Sequence, residues 1–250
     1  MKTTFKIIDD QPDFIVVNKP ENTNFHDEGD MGTGFFNTVK DQLTQQNSKA
    51  KTHELYPVHR LDKMTSGLLI FAKNSETATA FQQLFEQHNI QKYYLALSDK
   101  KPKKKQGLIK GDMAKSRRSA WKLLRTQENP AISQFMSYSI ENGIRLYLVK
   151  PHSGKTHQIR VALSSIGSPI MGDALYGGTL GKAVSSESAE TENLAIDRGY
   201  LHAYALQFTL NGVAYQYIQA PDSGTLFLSK SLIQQLDVIG SPWDLAWPKV

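Results

Sequence analysis

The chain of 250 residues contains no cysteine. Disulfides, thiolate nucleophiles and cysteine metal sites are thereby excluded, while the redox compartment is left open. No apolar run approaches the roughly 20 residues that a bilayer-spanning helix needs. Met1 to Asp10 hold no apolar core of a signal peptide, so cytoplasm is the default location. Two partial motifs lack their decisive residue. His53 and Glu54 begin like a zinc-protease helix, but Pro57 stands where the second histidine belongs. Gly154-Lys155-Thr156 ends like a phosphate-binding loop, yet Val149 replaces its required first glycine. His152 and His157 are five residues apart behind Pro151, a poor spacing for one helix face. Neither a metal nor a cofactor is expected.

The remaining composition is that of a soluble globular chain, 40% hydrophobic and 21% charged, long enough to bury a sizeable core. The formal net charge of +5 suits a polyanionic partner but does not require one. The excess is uneven. From Lys100 to Arg125 there are eleven Lys and Arg residues and a single acid, Asp112. Lys103, Lys104, Lys105, Arg117 and Arg118 are candidates for RNA-backbone contacts, because clustered cations neutralise phosphates and release counterions. A solvated loop face is the alternative. Trp121, inside the run, could stack on a base or belong to the core.

Periodicity predicts several elements. Phe14 to Val17 reads as a strand stopped by Asn18-Lys19-Pro20, followed by a polar, turn-rich loop to Gly34. Gly67 to Lys73 reads as a buried strand. Asn74 or Ser75 caps a helix with Ala78, Phe81, Leu84 and Phe85 on one face. Tyr93 to Ser98 returns as a strand. Hairpins are predicted over Asn142-Gly143 and Asn211-Gly212, since Asn-Gly favours a tight turn. Thr156 is read as the cap of a short helix carrying Ile159, Ala162, Leu163 and Ile166, ended by Gly167-Ser168-Pro169. Ser231 to Asp237 reads as a last helix. Residues 179–199, rich in Ser, Glu, Ala and Thr, read as a mobile loop. Many strands and few helices argue an α+β fold with a mostly antiparallel sheet, in a single domain over 1–250.

The most informative stretch is His59-Arg60-Leu61-Asp62-Lys63-Met64-Thr65-Ser66-Gly67-Leu68-Leu69-Ile70. An arginine and a carboxylate beside a core strand are costly unless they are paired or used. Taken alone, Asp62 could equally be an aspartate that opens the Thr65-Ser66 turn. Two further segments accompany it: Gln91-Lys92-Tyr93-Tyr94-Leu95-Ala96-Leu97, and the run from Lys150 through Gly154-Lys155-Thr156-His157-Gln158-Ile159-Arg160 to Gly172-Asp173 and Leu175-Tyr176-Gly177. With Asn18-Lys19-Pro20, His26 and Leu201-His202-Ala203, these three motifs in order resemble the RluA-type pseudouridine synthases, enzymes that isomerise uridine in RNA.

That resemblance implies a long, bent, mostly antiparallel mixed sheet with a central catalytic cleft. It implies Asp62 as the catalytic residue, Arg160 as its paired arginine and Tyr94 as the tyrosine lying against the target base. Tyr93 and Tyr94 must face opposite sides of a strand, so only one can enter the site. Arg60 corresponds to a residue that can fill the space left by an extruded nucleotide; a phosphate contact or a structural ion pair are the alternatives. His59 either helps bind substrate or bonds only to nearby backbone, and Lys155 and Ile159 are expected to shape the cleft. The implied partner is ribosomal or transfer RNA, with no membrane, and a monomer is expected. Many relatives carry an extra N-terminal S4-type module. The stretch before Phe14 has no room for one, so a stand-alone catalytic form is expected. The chain departs from the family at Ala162, Ser165 and Ser168, where histidines are usual, and at Asn22, where glycine is frequent. These departures leave Asp62, Tyr94 and Arg160 in place and bear on the choice of RNA. The rival readings are an idle RNA-binding domain of the same fold and an unrelated carboxylate hydrolase. The latter would need a second acid opposite Asp62, which no motif supplies.

Overall fold

The computed structural model describes residues 5–27, 34–46, 54–179 and 196–250. Twelve strands and four α-helices occur among them in the order β1 (Lys6–Asp10), β2 (Phe14–Lys19), α1 (Phe35–Gln46), β3 (Tyr56–Pro57), β4 (Ser66–Ala72), α2 (Ser75–Glu86), β5 (Gln91–Ser98), β6 (Gln106–Gly111), β7 (Met113–Lys115), β8 (Trp121–Leu123), β9 (Ala131–Ser139), β10 (Arg145–Pro151), α3 (Gln158–Ser165), β11 (Leu201–Leu210), β12 (Val213–Ile218) and α4 (Lys230–Ile239). The loop expected at 179–199 falls largely outside the described residues. The α+β expectation holds: ten strands form one mixed sheet, eight of them along the path β1-β2-β4-β11-β5-β10-β9-β6 with β12 paired to β11 and β3 to β4, and β7 and β8 form a separate hairpin. Every pairing in the large sheet is antiparallel except that of β4 with β11.

Strands β2 and β4 are buried on both faces because their residues alternate between two cores. Ile15, Val17, Leu69 and Phe71 pack with α1 through Phe35, Val39 and Leu43. Phe14, Val16, Leu68 and Ile70 pack on the other side with Phe81 of α2 and Phe208 of β11. A third and larger core joins β5, β10 and β11 to α3 and α4. Helix α2 starts where the sequence predicts, with the Asn74 side chain accepting from Thr77 N–H. Both Asn-Gly pairs turn their hairpins with positive φ at each residue. Helix α1 carries no expectation from periodicity. Its few apolar residues are surrounded by Lys40, Asp41, Gln42, Thr44 and Gln45, which dilute the pattern. The reading of Thr156 as a helix cap is corrected. His157 occupies the cap position in a left-handed conformation (φ 57°, ψ 20°) and makes no side-chain cap bond. The turn is instead held by Gln158, whose Oε1 accepts from Ser153 Oγ and Lys155 N–H.

The parallel seam between β4 and β11 is only two residue pairs long, Ser66 with His202 and Gly67 with Ala203. Gly67 has φ 111°, and a Cβ there would lie 2.3 Å from Ala203 O, so the two backbones approach as only glycine permits. Buried polar side chains brace this short ladder. Ser66 Oγ is 2.7 Å from His202 Nδ1, His202 Nε2 is 2.8 Å from Gln219 O, and Arg198 Nη2 donates to Ser66 Oγ at 2.7 Å. Desolvation lowers the His202 pKa to about 3, and the charge of Arg198 adds to that push. His59 is lowered to about 3 as well, by desolvation and then by Lys92.

Both imidazoles are therefore neutral in the folded chain and would charge near pH 6.5 in the unfolded one. The unfolded state binds these protons first, so stability falls as pH drops from about 6.5 towards 3. Each histidine contributes about 1.4 kcal/mol per pH unit to the slope in that window. Urea denaturation at pH 7, 5.5 and 4.5 measures the slope. His202→Gln, which can keep one acceptor and one donor, should lower it by about one proton.

Candidate active site

Asp62 lies in the loop between β3 and β4, and that loop is fastened along its length. His59 Nε2 accepts from Ile70 N–H at 2.9 Å. Leu61 is buried in the core under α1. Thr65 N–H closes a turn on Asp62 O at 3.0 Å. Beneath it, the fully buried Lys19 at the end of β2 donates Nζ to Pro20 O, Lys63 O and Thr65 O at 2.9, 3.3 and 2.9 Å. Burial and then Arg198 push the Lys19 pKa down to about 7, against the pull of Asp62 and Glu21.

Helix α3 brings Arg160 to this loop. Its guanidinium Nη1 donates to Asp62 Oδ2 at 3.2 Å, and Nε and Nη2 grip the two oxygens of Asp173 at 2.7 and 2.9 Å. Burial opposes the charge on Arg160, but Asp173 and then Asp62 outweigh it, and the pKa moves up. The Tyr176 ring lies 4.9 Å from the guanidinium carbon. Tyr176 also ties in His157: its hydroxyl is 2.8 Å from His157 Nδ1 and accepts from Trp121 N–H at 2.9 Å. His157 Nε2 is 4.0 Å from Asp62 Oδ2. Burial lowers the His157 pKa more than Asp62 raises it, with Arg160 and Arg60 assisting the decrease.

Two cavities meet at Asp62. One, of about 410 Å³, is lined by residues including Val58, Lys92, Tyr94 and Ile159. The other, of about 510 Å³, is lined by residues including Asn22, Asn24, His26 and Asp173. Asp62, Arg60, Leu61, His157 and Arg160 belong to both walls and form the ridge between them. Tyr94 faces the first cavity and packs against two of the cores, whereas Tyr93 is fully buried on the opposite side of β5. Burial, and then the Asp62 charge, push the Tyr94 pKa up, so it stands as a neutral phenol. Such a site offers an oriented carboxylate, a neutral hydroxyl and a stacking face within one recess.

Most residues expected from the sequence converge on this recess. Asp62, Tyr94, Arg160, Arg60, His59, Lys155 and Ile159 all line the first cavity. His59 is occupied by the Ile70 amide, the backbone bond that is the alternative expected for it. Lys155 Nζ donates to Asn129 O at 2.6 Å, so its amine is turned to the loop before β9. Arg60 is exposed at the shared mouth. The basic run, continuous in sequence, is divided in space. Lys103, Lys104 and Lys105 are exposed just before β6, the last strand on the sheet's path. Arg117 and Arg118 are exposed at the tip of the β7–β8 hairpin, whose Trp121 amide reaches Tyr176 beside the site. Strand β6, about 20 Å long, lies between the two groups in the chain. Trp121 itself is half-buried.

Sequence reasoning missed the roles of Asp173, His157, Tyr176 and Lys19. Asp173 stands in the third motif beside Gly172, but nothing in its spacing marks it as a partner of Arg160. Among the described residues, no group of three His, Asp or Glu side chains could hold a metal ion, and no helix is long and apolar enough to cross a membrane.

A family model described as RNA pseudouridylate synthase matches residues 13–165, well over half of the chain. The chain is 43% identical over 93% of its length, and 95% of the relative's, to a protein of Haemophilus influenzae named as an uncharacterized RNA pseudouridine synthase. It is 34% identical over 70% of its length to a ribosomal large subunit pseudouridine synthase C of Rickettsia bellii, of which it spans 58%. It is 30% identical over 79% of its length, and 82% of the relative's, to a tRNA pseudouridine synthase C of Haemophilus ducreyi. The solved structure of human RNA pseudouridylate synthase domain containing 1 superposes with a TM-score of 0.69 at 21% identity, covering 98% of this chain and 97% of that one, a likeness of fold. With the ridge and its two cavities formed by the motif residues, the chain belongs to the RNA pseudouridylate synthase family of RNA isomerases, in agreement with the RluA-type resemblance.

Asp173→Asn tests the arrangement around Arg160. It removes the carboxylate that holds the guanidinium through two bonds and leaves a buried cation with Asp62 alone. Breaking a buried pair costs about 3–5 kcal/mol, read as a fall in urea midpoint. Asp62→Asn should cost clearly less, because Arg160 keeps its bidentate partner. Equal losses would mean that Asp173 does not anchor the arginine.

Proposed function

We propose that this chain isomerises specific uridines to pseudouridine in structured ribosomal or transfer RNA, with Asp62 as the reacting carboxylate, Arg160 as its orienting partner and Tyr94 against the base. The observation that carries this reading is the carboxylate of Asp62 on the ridge between the two cavities, bound to Arg160. The relatives named for ribosomal and transfer RNA support both substrate classes equally.

In the reaction the bond from ribose C1′ to uracil N1 breaks, the base turns, and C1′ joins C5. The C5 proton leaves and N1 regains one, so no oxidant or co-substrate is consumed. The uridine must leave its stack for C1′ to be reached. Asp62 can add to the sugar or base, or take a sugar proton. Either role needs a carboxylate aimed at the nucleotide, and the Arg160 guanidinium fixes its direction. Tyr94 offers its ring as a stacking surface and a hydroxyl that donates while neutral. Arg60, exposed at the mouth, is positioned to occupy the space a flipped base vacates. The cations of the β7–β8 hairpin, beside the cleft, suit the flanking phosphates better than Lys103, Lys104 and Lys105 do.

Mapping pseudouridine in cellular RNA with and without the gene, followed by turnover of the affected transcript by purified protein, tests the assignment. Asp62→Asn should abolish pseudouridine formation while RNA affinity and melting temperature stay near wild type; turnover at the wild-type rate would remove Asp62 from its role. Replacing Arg117 and Arg118 by Gln should flatten the dependence of log affinity on log salt by about 0.7 for each phosphate no longer neutralised. The same change at Lys103, Lys104 and Lys105 should flatten it less. Unchanged slopes for both sets would make the whole run a solvated surface.

A further inference from the structure

Lys92 is a half-buried cation that the isomerisation leaves without a task. It sits on β5 two residues before Tyr94, so both side chains project from the same face. Both line the 410 Å³ cavity. Its ammonium has three N–H donors, yet among the described residues it makes one hydrogen bond, to Ser153 O at a long 3.3 Å. It also lies 5.6 Å from the centre of the Phe85 ring. Gly154 faces it, and even an added Cβ there would stand 3.8 Å from Nζ, so space remains beside the amine.

The charges around the cavity are unequal. Arg60, Lys92, Lys155 and Arg160 line it against the two carboxylates Asp62 and Glu86. Arg160 is taken up by Asp62 and Asp173, and Lys155 bonds to Asn129 O. Glu86, at the end of α2, is exposed. His59 from the loop before β4 and His152 after β10 are the other titratable neighbours, and both have pKa values pushed down by burial first and by the charge of Lys92 among other causes. A desolvated ammonium with one weak acceptor is costly to keep. An anion entering with the substrate would complete its coordination. RNA has one anionic group, its phosphate.

We propose that Lys92 binds phosphate, gripping the phosphate attached to the nucleotide whose base enters the cavity beside Tyr94. This rests on the assignment of that cavity to the target uridine. Lys92 and Tyr94 are about 7 Å apart along the strand, a distance that one nucleotide bridges between its base and its phosphate. Burial lowers the Lys92 pKa to about 8, so the grip is present while the amine is protonated and is released as pH rises through that value.

The test uses uridine 3′,5′-bisphosphate and uridine as paired probes, titrated into the intact protein and followed by NMR. Neither probe requires turnover, so a failure here is distinct from an absence of pseudouridine formation. Wild type should bind the bisphosphate at least tenfold more tightly than uridine. Lys92→Met should lose about tenfold for the bisphosphate and leave uridine unchanged. Raising the pH from 7 to 9 should weaken bisphosphate binding to wild type by about tenfold but hardly affect Lys92→Arg, whose guanidinium stays charged. The Lys92→Arg and pH arms stand even if Lys92→Met folds poorly. Equal binding of both probes by wild type, or equal loss of both in Lys92→Met, would overturn the proposal; the latter would assign Lys92 to the base instead.

Discussion

A single guanidinium divided between two carboxylates organises this molecule. Arg160 cannot release its proton, so it must be neutralised where it is buried, and Asp173 does this through two parallel bonds. Of the three N–H groups that remain, one on Nη1 reaches Asp62 at 3.2 Å. The consequence is asymmetric. Asp173 is 1% exposed and locked, whereas Asp62 is held by one bond at the edge of two cavities. One carboxylate therefore serves as ballast and the other stays accessible. The left-handed turn at His157 aims the first turn of α3 so that Arg160 reaches both.

Much of this is legible in sequence because it depends on local pattern. The strands β2 and β4, the Asn74 cap and the two Asn-Gly turns follow from periodicity and turn chemistry alone. The three ordered motifs point to the cleft, the Asp62–Arg160 pair and the opposed directions of Tyr93 and Tyr94. What periodicity cannot supply depends on contacts distant in sequence. Asp173 acquires its partner only when the chain turns back after α3. Tyr176 joins Trp121 and His157 across separate elements, and nothing in the spacing of those residues signals it. Lys19 reads as a loop lysine until β2 carries it beneath the turn after Asp62. Thr156 suits a cap by residue type. The turn instead uses the Gln158 amide, which satisfies the same kind of backbone donor from inside the helix. The basic run reads as one feature because sequence distance hides the length of β6 within it.

The buried polar residues near the cleft share a logic. Lys19, Arg198, His202 and Ser66 lie around the short seam between β4 and β11, and their side-chain bonds brace it and tie it to the flanking loops. Groups of this kind cost desolvation energy that an apolar core would not, so their presence marks a place where backbone geometry, rather than burial, sets the design.

The two-pair seam between β4 and β11 has a further consequence for how such a protein can diverge. A long ladder would fix the angle between its two sides, and any change of angle would have to break register along its whole length. Across a seam this short, one half of the sheet can swivel against the other by exchanging a few side chains. Asp62 sits on the β4 side of that line and Arg160 and Tyr94 on the β11 side, so any such swivel is limited by the bond that Arg160 makes to Asp62 across it. A fold jointed in this way couples the fit of its guest to the alignment of the groups at its centre.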